Sequence, residues 1–147
     1  MTTKSSGFTL VELLVVVAII GILSSIGVVS YQGYMRAAKV SSTKSVMQQV
    51  GLMQTEYLSN IGGYFVTNAA TTCTPSKTSS DNIEKELFPK EEDAAGNIVG
   101  EDVIVSENKF EMCIASSAGG GYLLIAQNDS GCKLTLTQSA ILNDDDC

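Results

Sequence analysis

An α+β architecture, in which one long N-terminal α-helix lays its C-terminal half on a small antiparallel β-meander, is predicted by three observations. Residues 8–29 carry no charge other than Glu12, and residues 13–23 have no polar side chain. Residues 40–57 then carry apolar side chains at helical spacing, and residues 110–138 alternate in and out between glycine- and asparagine-rich turns. The chain has 147 residues, room for one domain.

Composition narrows the chemistry. The formal charge is −7, and there is no His and no Trp. An imidazole zinc site, a Ser/His/Asp triad and a Cys/His dyad are therefore excluded. Residues 1–60 sum to +2, from Lys4, Arg36, Lys39 and Lys44 against Glu12 and Glu56, whereas residues 61–147 sum to −9. An acidic outer half repels phosphate backbones, so no direct nucleic-acid partner is expected. No cofactor is expected, and no enzyme: without His, catalysis needs paired carboxylates or a Ser–Lys dyad in a pocket, and the acids here fall on turns and loops. Four cysteines, Cys73, Cys113, Cys132 and Cys147, sit in a small polar half without C-x-x-C spacing. They point to disulfides and an oxidising compartment rather than to a metal cluster.

The first element is the apolar one. As a helix, residues 8–29 span about 33 Å, close to the roughly 30 Å of a hydrocarbon core. The run is too long for a cleaved secretory signal and lacks an Ala-x-Ala site at its end. Glu12 is the anomaly of a plain anchor. A carboxylate within an apolar span costs several kcal/mol unless paired, and so marks a candidate functional site.

The string Lys4-Ser5-Ser6-Gly7-Phe8-Thr9-Leu10-Val11-Glu12 resembles the processing signal of type IV prepilins and related pseudopilins. The resemblance implies a leader, residues 1–7, cut by a prepilin peptidase after Gly7. Phe8 becomes the N-methylated N-terminus, and Glu12 stands five residues into the mature chain. It also implies a precursor in the bacterial inner membrane, assembly machinery, and an extracellular pilus of like or mixed subunits on the cell surface. The physical logic agrees. A new amine at Phe8 in an apolar layer is tolerable when a neighbouring subunit's Glu12 neutralises it, and such a buried pair sets register. Positive-inside counting, with Arg36, Lys39 and Lys44 after the span and Lys4 before it, favours the opposite orientation. Cysteine usage and the prepilin resemblance outweigh it.

The helix continues. No Pro precedes Pro75, so residues 8–30, the membrane or filament-core part, run on into an amphipathic part, 31–61. Val40, Val46, Met47, Val50, Met53 and Tyr57 make its stripe, and Asn60-Ile61-Gly62-Gly63 is its stop. A helix over 9–60 is roughly 78 Å long, too long for a small domain to bury. The sequence departs from the family at Val29, where many such pilins have a Pro. Gly21 and Gly27 are the weak points left, each costing up to about 1 kcal/mol of helix propensity.

The head comprises residues 62–147. Residues 62–101 read as a connecting loop with a helical turn at 81–87, capped by Asp81 and ended by Pro89. Strands follow over 110–115, 121–127 and 132–138, with 102–105 as a fourth, so the sheet spans 102–138. One face is expected on the long helix. So small a head needs staples. Three cysteine pairings are open, and the sequence alone does not choose. Cys73–Cys113 and Cys132–Cys147 are the expected set. The second closes residues 132–147, and the resemblance favours it, because pilins commonly fasten a C-terminal loop with their last two cysteines. Asp144-Asp145-Asp146 lacks the spacing of a calcium loop and reads as a solvated terminus. Asn128-Asp129-Ser130 matches a glycosylation acceptor but is ordinary turn chemistry.

The expected function is a structural pilus subunit. A minor tip pilin acting as adhesin or binding module is an alternative, as is a secretion-system pseudopilin. The cysteine-closed C-terminus argues against the pseudopilin, and the scattered head lysines argue against a DNA receptor.

Overall fold

The computed structural model describes residues 7–88, 91–92, 98–99, 104, 109–145 and 147. Helix α1 (Leu10–Ile61) is followed by α2 (Lys77–Leu87), a two-residue ladder of β1 (Glu91–Glu92) and β2 (Ile98–Val99), and strands β3 (Phe110–Ser117), β4 (Gly121–Asn128), β5 (Lys133–Thr137) and β6 (Leu142–Asp145). The last four form an antiparallel sheet in the order β3-β4-β5-β6. The chain divides into two compact units, residues 1–38 and residues 39–147.

The first unit is the N-terminal part of α1. It runs helically through Gly21 and Gly27. Ser24 and Ser25 donate their hydroxyls back to the carbonyls of Ile20 and Ile22, both at 2.7 Å, so neither presents an unpaired polar group within the apolar span. Thirteen large apolar side chains between Phe8 and Ile26 are 47–77% exposed. A helix apolar on every face is a helix for an apolar environment.

The second unit is a core of two helices on a sheet. Val46, Met47 and Val50 of α1, and Ile83 and Leu87 of α2, meet Phe110, Met112 and Ile114 of β3, Tyr122, Leu124 and Ala126 of β4, and Leu134 and Leu136 of β5. Period-2 alternation along the strands and 3–4 spacing on α1 bring these side chains to one place. The helix approaches the sheet closely at Gly51, where an added Cβ would lie 3.3 Å from the Tyr122 hydroxyl. Two polar side chains on this face escape a hydrophobic pattern. Thr43 returns its hydroxyl to Lys39 O at 2.8 Å. Gln54, fully buried, donates to Phe65 O at 2.7 Å and accepts from Phe65 N–H at 2.9 Å, fastening the chain that leaves α1. The exit is a left-handed turn at Gly62 (φ 84°), whose N–H caps Leu58 O at 2.9 Å.

Several expectations for the head are corrected. The second helix starts at Lys77, and its cap is Ser76, not Asp81. Ser76 Oγ accepts from Ser79 N–H, and Ser79 Oγ accepts from Ser76 N–H, a reciprocal box that a serine pair can close as well as Ser/Glu. It ends at Leu87 with Phe88 as C-cap; Pro89 lies outside the described residues. Residues 62–101 thus hold a three-turn helix and a short ladder where a connecting loop with a helical turn at 81–87 is expected. Of the strand expected at 102–105, only Ile104 is described, and it is a buried turn residue. The fourth strand of the sheet is instead β6, so the sheet extends beyond residue 138. A turn with Ala140 in the left-handed region (φ 57°) folds β6 back on β5, with Leu136 opposite Leu142 and Leu134 opposite Asp144.

The outer edge of β3 is closed by side chains of α2 and by residues 67–70, whose backbone bridges to it at Asn68 and Ala115. Met112 N–H donates to Ser80 Oγ at 2.9 Å, and Met112 O accepts from Ser79 Oγ at 2.6 Å. Ile114 N–H donates to Thr67 Oγ1 at 2.9 Å, and its carbonyl accepts from Thr67 N–H at 2.9 Å. An edge so occupied offers no template to another strand.

Candidate assembly site

Helix α1 opens on Thr9-Leu10-Val11-Glu12, a Thr-x-x-Glu spacing. Thr9 is its cap. Glu12 N–H donates to Thr9 Oγ1 at 3.3 Å, while Glu12 Oε2 accepts from Thr9 N–H at 3.3 Å and from Thr9 Oγ1 at 3.0 Å. The first-turn carboxylate also faces the positive end of the helix dipole. All three bonds are local and exposed, and the oxygen they engage is Oε2. Among the described residues no cation pairs with Glu12. Gly7 precedes the helix outside any regular element, and Phe8 beside it is 77% exposed. Residues 1–6, with Lys4, lie outside the described residues.

Gly7, Phe8 and Glu12 therefore sit together at the start of an exposed apolar helix. Fully burying its thirteen large apolar side chains is worth tens of kcal/mol, at roughly 1.5–3 kcal/mol each. The helix is long and apolar enough to cross a membrane by length and composition. Thr9 is a site residue that sequence reasoning misses. Its signal is the Thr-x-x-Glu spacing, hidden because Glu12 reads first as a misplaced charge.

The four cysteines lie in the second unit, joined as Cys73–Cys113 and Cys132–Cys147. The first ties the segment before α2 to β3. The second ties Cys147 to the residue before β5, over 15 residues. Lys44 is another residue whose role sequence reasoning misses. Its Nζ lies 2.8 Å from Asp144 Oδ2 and joins α1 to β6. The hydrogen bond and the charge of Lys44 hold the Asp144 carboxyl below its usual range. In β4, burial, helped by neighbouring Tyr64, pushes the Tyr122 hydroxyl up. Asn128 turns β4 toward β5 by accepting from Ser130 N–H and Cys132 N–H, both at 3.0 Å. No metal-holding group of three or more His, Cys, Asp or Glu occurs among the described residues, and Asp146 of the acidic run is outside them.

The prokaryotic N-terminal methylation motif matches residues 2–28. The chain is 37% identical over 75 residues to a type IV major pilin protein of Neisseria gonorrhoeae, covering 51% of this chain and 35% of that one. It is 47% identical over 55 residues to a type IV major fimbrial protein of Dichelobacter nodosus, 37% of this chain and 33% of that one. A probable minor fimbrial protein of the same organism is 39% identical over 82 residues, 54% of this chain and 49% of that one. The chain thus spans between a third and a half of the length of these curated relatives. No solved structure matches it. A methylation motif thus heads a long apolar helix that packs further on against an antiparallel sheet, and over 37–54% of its length the chain is similar to type IV pilins and fimbrial proteins.

Proposed function

We propose that the chain is a pilus subunit, exported through the inner membrane and assembled with other pilins through its N-terminal helix. The observation that carries this reading is the exposed apolar α1, headed by a methylation motif with Glu12 in its first turn. The leader, residues 1–7, is removed after Gly7 by a prepilin peptidase, and Phe8 becomes the methylated N-terminus. Residues 8–30 hold the precursor in the membrane and then move, with the assembly machinery, into a filament core. Burial against neighbouring helices replaces burial in lipid. The α-amine at Phe8 of one subunit meets Glu12 of another. A Glu12 held on Thr9 through Oε2 is oriented for this without losing Oε1. The pair fixes axial register, because a slipped subunit leaves both charges uncompensated in an apolar layer. Residues 31–61 carry the head, 62–147, whose disulfides suit an extracellular surface.

The test is Glu12→Ala in the native host. The variant should be processed to a chain beginning at Phe8 and stay in the membrane, with filament incorporation cut at least about tenfold, as expected when one charge of a buried pair is left alone. Normal incorporation would refute the register role. A second reading, a rarely incorporated minor pilin, is favoured by one observation. The relative named as a probable minor fimbrial protein covers 54% of this chain, slightly more than the major pilin of Neisseria gonorrhoeae does. The abundance of the chain in sheared filaments separates the two.

A further inference from the structure

The head carries an open groove of about 290 Å³ whose lining includes Met53, Glu56, Tyr57, Asn60, Glu86 and Phe88. Its walls are the C-terminal turns of two helices, α1 and α2. Terminal carbonyls and the negative ends of two helix dipoles gather there. The last turn of α1 contains no basic residue; that of α2 has Lys85, which does not line the groove. Two exposed carboxylates, Glu56 and Glu86, add full negative charge, and neither has an ion-pair partner among the described residues. Tyr57 and Phe88 supply aromatic surface, and Asn60 supplies an amide. Carboxylates for a bidentate fork and aromatic rings for stacking are the recognition set of a guanidinium, more than of a compact ammonium.

The sequence contains a single arginine, Arg36. It lies on α1, twenty residues before Glu56, is exposed, and has no ion-pair partner among the described residues. Arg36 and Lys39 form a basic collar on a chain whose residues 61–147 sum to −9. A surface of one sign and a groove of the other on the same chain form a heterologous pair. Copies joined through it do not close on themselves but continue.

We propose that the groove receives Arg36 of a second copy of this chain, so that a head-to-collar ion pair fixes the outer layer of the filament while α1 packs its core. The proposal rests on the pilus reading given above. The contact is partly exposed, so it contributes to specificity and to salt sensitivity more than to the total energy of assembly.

The test uses filaments sheared from the native host carrying single-gene replacements. Glu56→Arg/Glu86→Arg and Arg36→Glu should each lower filament yield at least about fivefold, because like charges then face each other across the contact. The processed, disulfide-bonded chain should stay at its normal level in the membrane. The variant that combines all three changes should recover at least half the yield. Arg36→Lys should assemble with filaments that dissociate at lower salt. In those filaments, prepared from mixed light and ¹⁵N-labelled subunits, a zero-length carbodiimide should join the amine introduced at position 36 to Glu56 or Glu86 across differently labelled chains. Unchanged yield in both charge-reversal variants, failure of the combined variant to recover, or cross-links elsewhere only would overturn the docking and leave the pilus reading standing. Absence of the wild-type chain from sheared filaments overturns both.

Discussion

Lys44 and Asp144 lie 100 positions apart in the chain and meet at 2.8 Å, pinning the last strand of the sheet to the helix that begins the fold. Together with Cys132–Cys147 this contact turns a short acidic segment into strand β6.

The pair makes β6 pH-sensitive. The folded-state pKa of Asp144 is depressed, so its contribution is present above the ordinary carboxylate pKa and is lost as pH falls through the folded value. Amide protection across β6 should be high at neutral pH and fall below about pH 4, relative to β3 and β4. In Lys44→Met the pH dependence should disappear, with protection across β6 at neutral pH lowered by up to about fivefold, as an exposed ion pair allows. Equal protection of β6 in wild type and variant would show that the ion pair does not hold the strand.

The Cys132–Cys147 bridge is worth about 3 kcal/mol in the chain-entropy model for a loop of this size. Cys132→Ser/Cys147→Ser should lower the unfolding free energy of the detergent-solubilised chain by about that amount, read from urea denaturation.

Gln54→Leu keeps the volume of the side chain but leaves the N–H and carbonyl of Phe65 without their partners. A loss of about 2–4 kcal/mol is expected from two unpaired groups, measured in the same way.

Ser80→Ala removes the acceptor of Met112 N–H on the outer edge of β3. The expected cost is about 1–3 kcal/mol, accompanied by faster exchange of the Met112 amide. A variant as stable as wild type would mean that another group takes over the bond.

Much of this is legible in the sequence because it follows from patterns with a fixed period. The α1 stripe of Val46, Met47 and Val50 and the alternation in β3–β5 announce which faces are buried. The parts that escape are those set by partners rather than by local pattern. Leu142-Asn143-Asp144-Asp145 has no strand preference of its own and becomes β6 through β5, Lys44 and a disulfide. The start of α2 is hidden because Asp81 is as good a cap by type as Ser76; contact of Ser79 and Ser80 with the β3 edge decides between them. Thr43 and Gln54 break the hydrophobic pattern of α1. Thr43 returns its hydroxyl to its own helix, and Gln54 satisfies backbone groups that only the folded chain brings near. At the N-terminus the charge of Glu12 is readable, whereas its bonds to Thr9 depend on a helix start inside an apolar run.

The most direct measurement is mass spectrometry of filaments sheared from the surface of the native host. The expected result is a chain that begins at N-methylated Phe8 and has all four thiols oxidised, abundant for a major subunit and scarce for a minor one. Filaments lacking the chain, or a chain that still begins at Met1, would contradict the claim that it is processed and assembled as a pilus subunit.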